Sequence, residues 1–468
     1  MIKNNTQPRK RYHLVSLGCS KNTVDSDSIA QLLNESGYSG SETAKNADVL
    51  IVNTCGFIGP ARAESISTLR DLAKKKRKGQ QLIAAGCLSQ LWGPRLAQVV
   101  PGLDGVIGTR RWMDMVDFID GVRGRSKPEP LYHLPTEAVT VGEDEKGAMR
   151  TSVQGVSSYL KISDGCRRPC AFCTIPNIKG TLKSRQPQLI LNEARQLADN
   201  GIRELILIAQ DLTDYGHDIG LRDGLASLLN DMCGINSLDW IRLMYAYPGA
   251  VTDRLIEVMA TQPKIVKYLD IPLQHGDPNV LRRMRRPANI DWVYRTVEKM
   301  RAAIPNLCVR TTFIVGFPGE TDQEFAGLMK FVDDLQFDRV GVFNYSFEPG
   351  TPSGDMPNQV PDEVKEQRRE ALMMKQQQIS LVKNQRFVGK TMLTLIEGHD
   401  DEKELSVGRT YRDAPEVDGL VIIDGLAPIG EIVPVKITGA MEYDLEGTVE
   451  MDEGRKIKDE KDIMLFNL

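Results

Sequence analysis

Ser157-Ser158-Tyr159-Leu160-Lys161-Ile162-Ser163-Asp164-Gly165-Cys166-Arg167-Arg168-Pro169-Cys170-Ala171-Phe172-Cys173 is the stretch from which the rest of the chain is read. A strand-like run, 157–163, leads into a glycine and three cysteines spaced Cys166-x3-Cys170-x2-Cys173. Three thiolates at this spacing hold three irons of a 4Fe-4S cluster, and the fourth iron stays open to an amine and a carboxylate of a bound ligand. Zinc also uses C-x2-C spacings but wants a fourth protein ligand. No His or further Cys follows within twenty residues of Cys173.

Downstream, β-type runs at 204–210, 240–245, 267–273, 308–316 and 339–345 alternate with helical stretches at 187–200, 221–233, 253–260, 289–304 and 322–335. With 157–163 that makes six strands, too few for a closed eight-unit barrel. An open, partial (β/α)6 TIM-like barrel is expected over 151–385, with its chemistry at the C-terminal ends of the strands. Cys166, Gln210, Tyr247, Gln274 and Gly316 lie at or near such ends. A polar helix over 363–387 then leads away.

Upstream, 12–120 also alternates strand and helix, which predicts an α/β domain with helices covering both faces of a sheet, three layers in all. Cys19, Cys55 and Cys87 each follow a predicted strand. Strand ends on one side of a parallel sheet gather loops in space, so three distant thiols can meet. A second three-cysteine site and three unrelated buried thiols both stay open on this ground. Residues 121–150 read as a linker, rich in Gly, Pro and charge. Short β-type runs between Gly, Asp and Pro over 386–452 fit a small antiparallel β-barrel of about five strands. Residues 453–468 form a tail.

A chain of 468 residues with 41% apolar and 26% charged residues is a multidomain globular protein. No run of eighteen apolar residues predicts a membrane span, and the N-terminus does not read as a secretory signal; the cytosol is the expected compartment. There the eight cysteines are thiols or ligands rather than disulfides. Cys233 and Cys308 stand apart and read as small buried hydrophobes. A net charge of -4 argues against a surface built wholly for nucleic acid. The basic runs 74–78 and 282–286 are solvated faces or local contacts to RNA.

The 3-2 cysteine spacing resembles the radical S-adenosylmethionine superfamily. That resemblance implies S-adenosylmethionine on the open iron, cleaved by one electron to a 5′-deoxyadenosyl radical, with Phe172 beside the adenine. Gln210 and Asp211 are placed to hydrogen-bond the methionine or the substrate, and Arg185 to pair with a carboxylate. Gly316-Phe317-Pro318-Gly319 makes a tight turn that a nucleoside approaches. His275 is either a site residue or a solvated loop residue.

Gly18-Cys19-Ser20-Lys21-Asn22, Asn53-Thr54-Cys55-Gly56-Phe57 and Ala85-Gly86-Cys87 are similar to the three signatures of the methylthiotransferase family. The domain order, ending in a TRAM-type, OB-like barrel, is similar too. The resemblance implies an auxiliary 4Fe-4S cluster on Cys19, Cys55 and Cys87 that holds the transferred sulfur, with Asn22 and Thr54 supporting the ligands. It also implies two S-adenosylmethionine molecules per turnover, an electron donor and a sulfur source.

Two substrate classes exist in that family: adenosine beside the transfer-RNA anticodon, and the β-carbon of an aspartate in ribosomal protein S12. Lys21-Asn22-Thr23-Val24-Asp25-Ser26, Tyr411-Arg412-Asp413-Ala414-Pro415-Glu416-Val417-Asp418-Gly419 and Gly439-Ala440-x2-Tyr443-Asp444-Leu445 resemble the ribosomal-protein branch. Asp27 stands where that branch often has Glu, and Leu212 where it has Thr. Between Lys390 and Glu446 there are thirteen acidic and five basic residues, a charge of -8. Such a barrel repels a phosphate backbone and suits a basic protein, so S12, free or in the small subunit, is expected to bind partly through it. The alternatives are a transfer-RNA methylthiotransferase and a non-enzymatic iron-sulfur or zinc interaction protein. Cleavage of S-adenosylmethionine separates enzyme from interaction protein, and the identity of the modified product separates the two substrates.

Overall fold

A computed structural model describes residues 10–125, 129–135 and 146–450. The predicted tail 453–468 lies outside the described residues, as do 126–128 and 136–145 of the predicted linker.

The first unit holds strands β1 (Arg11–Ser16), β2 (Ser39–Gly40), β3 (Val49–Thr54), β4 (Gln81–Ala85), β5 (Gly105–Ile107) and β6 (Leu131–His133). They form one parallel sheet in the order β2-β1-β3-β4-β5-β6. Val49–Thr54 and Gln81–Ala85 are buried throughout, as strands covered on both faces must be. Val49, Ile51 and Ile83 face helices α1 (Ser20–Glu35) and α5 (Met115–Arg123). Leu50, Val52 and Leu82 face α2 (Gly59–Lys75), α3 (Gly86–Trp92) and α4 (Pro94–Val99). The expected three layers are present. The stretch read as a linker contributes β6, which pairs in parallel with β5. Three half-exposed residues behind Pro130 carry too little apolar signal to announce a strand.

The second unit begins with β7 (Thr151–Gln154), β8 (Ser157–Lys161) and a two-residue pair, β9 (Ser163–Asp164) and β10 (Lys183–Ser184). It continues through β11 (Glu204–Ile208), β12 (Trp240–Leu243), β13 (Ile265–Asp270), β14 (Cys308–Val315) and β15 (Arg339–Asn344). The sheet order is β15-β14-β13-β12-β11-β8-β7, with six parallel strands and β7 antiparallel at the edge. This is the expected open, partial barrel. Helices α6 (Ile175–Lys179), α7 (Pro187–Asp199), α8 (Gly224–Cys233), α9 (Asp253–Thr261), α10 (Pro278–Arg283), α11 (Ile290–Ala303) and α12 (Asp322–Leu335) lie between the strands. Leu205, Leu207, Ile241 and Leu243 point out to the helices, while Ile206, Ile208, Tyr159 and Tyr268 point in, the two-residue period of a strand. The polar helix α13 (Asp362–Gln385) does not lead away. Lys365, Arg368, Leu372, Gln376, Ile379 and Asn384 form a buried stripe along it, four of the six polar, which hydropathy alone does not reveal.

The third unit is a closed barrel of β16 (Thr391–Asp400), β17 (Leu405–Thr410), β18 (Val421–Asp424), β20 (Leu445–Val449) and β19 (Ile432–Ala440), in that order. Four of its pairs are antiparallel and β18–β20 is parallel. A ring of five strands cannot alternate direction all the way round, so one parallel pair is a matter of parity.

The segment after β17 enters the inner face of the open sheet. Buried Arg242 donates to the Tyr411 carbonyl (2.7 Å) and to Glu204 (2.7 Å). Arg409 reaches the other Glu204 oxygen (2.7 Å), Arg339 meets Asp413 (2.5 Å), and Tyr268 donates to Asp418 (2.7 Å). Asp413 and Asp418 are therefore internal, as are Arg409 and Arg412. Setting these four aside leaves eleven acidic and three basic residues, so the excess of eight negative charges is retained outside this interface.

Candidate functional site: two cysteine triads at facing strand ends

Both triads lie at C-terminal strand ends. Cys19 follows β1 and precedes the first turn of α1, Cys55 follows β3, and Cys87 is the second residue of α3 after β4. The three loops touch. A methyl group on Gly18 would come within 2.8 Å of Cys55 Cβ, and one on Gly56 within 2.8 Å of Leu88 Cα. Asn22 and Asn53 donate reciprocally to each other's carbonyl oxygens (3.1 and 3.0 Å), and Thr54 donates to the Ala85 carbonyl. Asn22 and Thr54 thus tie the three strand ends together, as supports for ligands do.

Cys166, Cys170 and Cys173 lie in the loop between β9 and α6. Gly165 (φ +74°) starts that loop, where a Cβ would fall 1.9 Å from the Thr181 carbonyl oxygen. The Cys166 N–H donates to the Gly180 carbonyl (3.1 Å) and the Ala171 N–H to the Met284 carbonyl (2.9 Å). Arg286 donates to Cys170 Sγ (3.5 Å) and the Arg168 N–H to Cys166 Sγ (3.4 Å). The two guanidiniums lie over the Tyr247 ring, 4.2 Å (Arg168) and 4.3 Å (Arg286) from its centroid. The basic run 282–286 is thus partly internal: Arg286 serves the cysteine loop and Arg283 pairs with Glu324 (2.9 Å).

Burial pushes the thiols up: Cys87 to about 12, Cys166 to about 11 and Cys173 to about 12. Cys19 is solvent-accessible but hemmed in. Desolvation alone would raise it, yet the Lys21 ammonium and the Asn22 and Lys21 N–H groups outweigh that and hold it below the ordinary thiol value. Thiols of this kind release their protons to a bound metal. Among the described residues no three His, Cys, Asp or Glu side chains close on a single-ion position. Each loop cluster instead offers three thiols, with N–H groups directed at two of the sulfurs of the central triad, a donor chemistry that suits an iron-sulfur cluster rather than a single ion.

Buried polar atoms without partners include Gln210 Oε1 after β11, Gln274 Oε1 after β13 and Nε of Arg286, whose guanidinium reaches Cys170. They are what a polar ligand such as S-adenosylmethionine needs. Phe172 packs, half-buried, against Ala171, Met284, Phe317 and Tyr345. Other expected contacts are already taken. Asp211 holds Arg168 (2.7 Å) with one oxygen and Thr213 N–H (3.0 Å) with the other. Arg185 is buried, and its guanidinium is occupied by Glu193 (2.7 and 2.9 Å) and the Lys161 carbonyl (2.9 Å). Gly316 admits α13, not an open space: a methyl there would lie 2.2 Å from Lys365 Cγ. Gly319 serves the turn, its N–H donating to the Asn358 carbonyl (2.8 Å). His275 is wholly buried beneath that turn, accepting from the Asp277 N–H (2.9 Å) with Nε2 3.6 Å from Glu320, so it is not a solvated loop residue.

The two triads are joined by a group that sequence reasoning did not find. Asp25 of α1 meets Arg150 (2.5 Å), Lys161 of β8, and Lys179 of α6 (2.7 Å). Asp164 meets the same three cations at 3.1, 3.3 and 3.4 Å. All five side chains are at most 3% exposed. Desolvation would raise the Asp25 carboxyl, but the three cations hold it far below the usual carboxylate range. Arg110 adds a second tie, donating to the carbonyls of Ile178 (3.0 Å) and Asn177 (2.9 Å) at the end of α6. Since α1 starts at Cys19 and α6 directly follows Cys173, the Asp25–Lys179 pair fixes one triad against the other. The one sequence signal was Lys161, a lysine inside an apolar strand.

Comparison with known proteins accords with this architecture. The model of the Radical SAM superfamily matches residues 160–332, that of Uncharacterized protein family UPF0004 matches 11–108, and that of the TRAM domain matches 388–449. A radical S-adenosylmethionine methyltransferase, TsrM from Kitasatospora setae, superposes with a TM-score of 0.54 over 74% of this chain and 77% of that one, at 14% identity, a likeness of fold alone. These define the class: a radical SAM protein with an N-terminal cysteine domain and a TRAM barrel. Ribosomal protein uS12 methylthiotransferase RimO of Chloroflexus aurantiacus is 47% identical over 451 residues, 93% of this chain and 99% of that protein. The protein of the same name from Bdellovibrio bacteriovorus is 41% identical over 457 residues, 96% of this chain and 99% of that protein. The chain belongs to the uS12 methylthiotransferase RimO family.

Proposed function

We propose that this protein is a cytosolic radical S-adenosylmethionine methylthiotransferase that adds a methylthio group to the β-carbon of an aspartate in ribosomal protein S12. The observation that carries the reading is the buried tie between α1, which starts at Cys19, and α6, which follows Cys173. Cys166, Cys170 and Cys173 would hold one 4Fe-4S cluster, and Cys19, Cys55 and Cys87 a second. When bound, the first supplies the electron that cleaves S-adenosylmethionine and the second supplies the sulfur for transfer. Each turnover would use two S-adenosylmethionine molecules, an external electron donor and a sulfur source.

The chain's own residues hold the parts in place. Gly165 and the Ala171–Met284 bond shape the central loop. Gln210 and Gln274 offer buried carbonyl oxygens to the polar atoms of S-adenosylmethionine, and Phe172 offers an apolar wall. The Asp25 group, itself buried, holds both loops at a fixed separation. The exposed acids of the barrel suit a basic ribosomal protein.

The test is anaerobic incubation of the reconstituted protein with S-adenosylmethionine, reductant, sulfide and ribosomal protein S12. Intact mass should show one added methylthio group, and fragmentation should place it on one aspartate. Cys170→Ala should abolish cleavage of S-adenosylmethionine, while Cys55→Ala should spare cleavage and block sulfur insertion. Modification of transfer RNA with S12 left unmodified would overturn the substrate assignment.

A further inference from the structure

Lys21 reaches from the N-terminal triad to the radical domain. It lies two residues beyond Cys19 on the first turn of α1, and its ammonium sits 3.2 Å from the centroid of the Tyr245 ring at the end of β12. One ammonium therefore lies between the N-terminal triad and the strand ends of the radical domain. Among the described residues no carboxylate comes within ion-pair distance of it. Its neighbours behave otherwise: Lys161 and Lys179 are both committed to Asp25 and Asp164.

Tyr245 is held for this arrangement. It adopts the left-handed region (φ +71°), unusual for an aromatic residue. Its N–H donates to Asp270 (3.1 Å), and its carbonyl accepts from the Leu212 N–H (3.1 Å). Those bonds turn the ring towards the N-terminal domain, where its face restrains the lysine stem by a cation–π contact and leaves the other N–H directions of the ammonium available. An unpaired, partly buried cation beside the sulfur-holding triad is an anion receptor.

We infer that Lys21 binds the side-chain carboxylate of the aspartate to be modified. The inference rests on the proposed function, in which the reacting carbon is bonded directly to that carboxylate. Gripping the carboxylate places the β-carbon one bond away, between Cys19 and the strand ends, without touching the hydrogen to be removed. Lys21 is in this sense a specificity-determining residue: it rejects a neutral side chain at the target position.

A double-mutant cycle tests this. Binding of labelled S12 to the full-length, cluster-loaded protein is measured anaerobically, with S12 native or carrying asparagine for the target aspartate. Iron is assayed in each variant to show that both sites are filled. The wild-type protein should bind native S12 about tenfold more tightly than the asparagine form, as expected of one charge pair. Lys21→Met should remove that preference and bind both forms as the wild type binds the asparagine form, and Lys21→Arg should restore part of it. A Lys21→Met protein that keeps the preference, or that weakens both forms equally, overturns the inference. A wild-type protein with both sites filled that neither binds nor modifies S12 overturns the proposed substrate instead.

Discussion

Asp25→Asn is the most informative single change. It keeps the shape of the side chain and removes one negative charge from a buried group of two carboxylates and three cations. Arg150, Lys161 and Lys179 would then face Asp164 alone, at 3.1–3.4 Å. Removing one member of a buried ionic group costs about 3–5 kcal/mol, because its partners stay buried without compensation. The cost falls on the junction, since Asp25 belongs to α1 while Lys161 and Lys179 belong to β8 and α6. Hydrogen exchange is the suitable assay, because a three-unit chain need not unfold as one step. Amide exchange in α1 and α6 should quicken by roughly two to three and a half orders of magnitude, the same energy at 1.4 kcal/mol per tenfold. Helices α8 and α9, on the far side of the second unit, should keep their protection. The carboxyl of Asp25 is held below its unfolded value, so its contribution is present above about pH 4 and is lost as pH falls through the folded-state value. The difference between wild type and variant should shrink in acid in that sense. Unchanged exchange in α1 and α6 at neutral pH, or an equal loss across all helices, would refute the reasoning.

Other outcomes follow from the same geometry. Desolvation would raise the Glu204 carboxyl, but Arg409 and Arg242 outweigh it and hold it down to about 2. Its grip on the barrel, about 3 kcal/mol, is present above pH 4.5 and lost as pH falls toward 2. Small-angle scattering should show the barrel detaching in that window, and Glu204→Gln should detach it without pH dependence. Gly165→Ala places a methyl 1.9 Å from the Thr181 carbonyl oxygen in a left-handed residue, itself about 1–2 kcal/mol unfavourable. Iron bound per chain should fall by about half, with the N-terminal site still filled. Arg185→Gln breaks the pair with Glu193 and should lower thermal stability, while calorimetry should find the affinity for S-adenosylmethionine unchanged.

Much of the molecule was legible because its signals are local. The alternation of apolar runs marked the strands, and the cysteines fell after them, so both triads could be placed at strand ends from the chain alone. The contacts that position those triads are not local. Asp25 pairs with Lys161 and Lys179 across more than a hundred residues; Lys161 stands out only by its apolar strand, and Lys179 does not differ in sequence from a surface lysine. Arg185 misled for the same reason: an arginine near a ligand site reads alike whether its partner is a cofactor or Glu193. The strand β6 was hidden by shortness, and the packing of α13 by a buried stripe that is mostly polar. Asp413 and Asp418, counted as barrel surface, are internal, though the charge excess survives because two arginines leave with them.

The insertion of Tyr411–Asp418 into the open sheet bears on how far the C-terminal barrel can be treated as interchangeable. Transplanting a TRAM barrel from an unrelated protein would leave Arg242, Arg310 and Arg339 buried without the Tyr411 carbonyl, Asp418 and Asp413 that they meet. A graft could succeed only if this segment travelled with the barrel or if the three arginines were replaced along with it. Among chimaeras between members of this family, the workable breakpoints are therefore set by matching charges across a buried seam, and a cut at the sequence boundary near 386 is not sufficient.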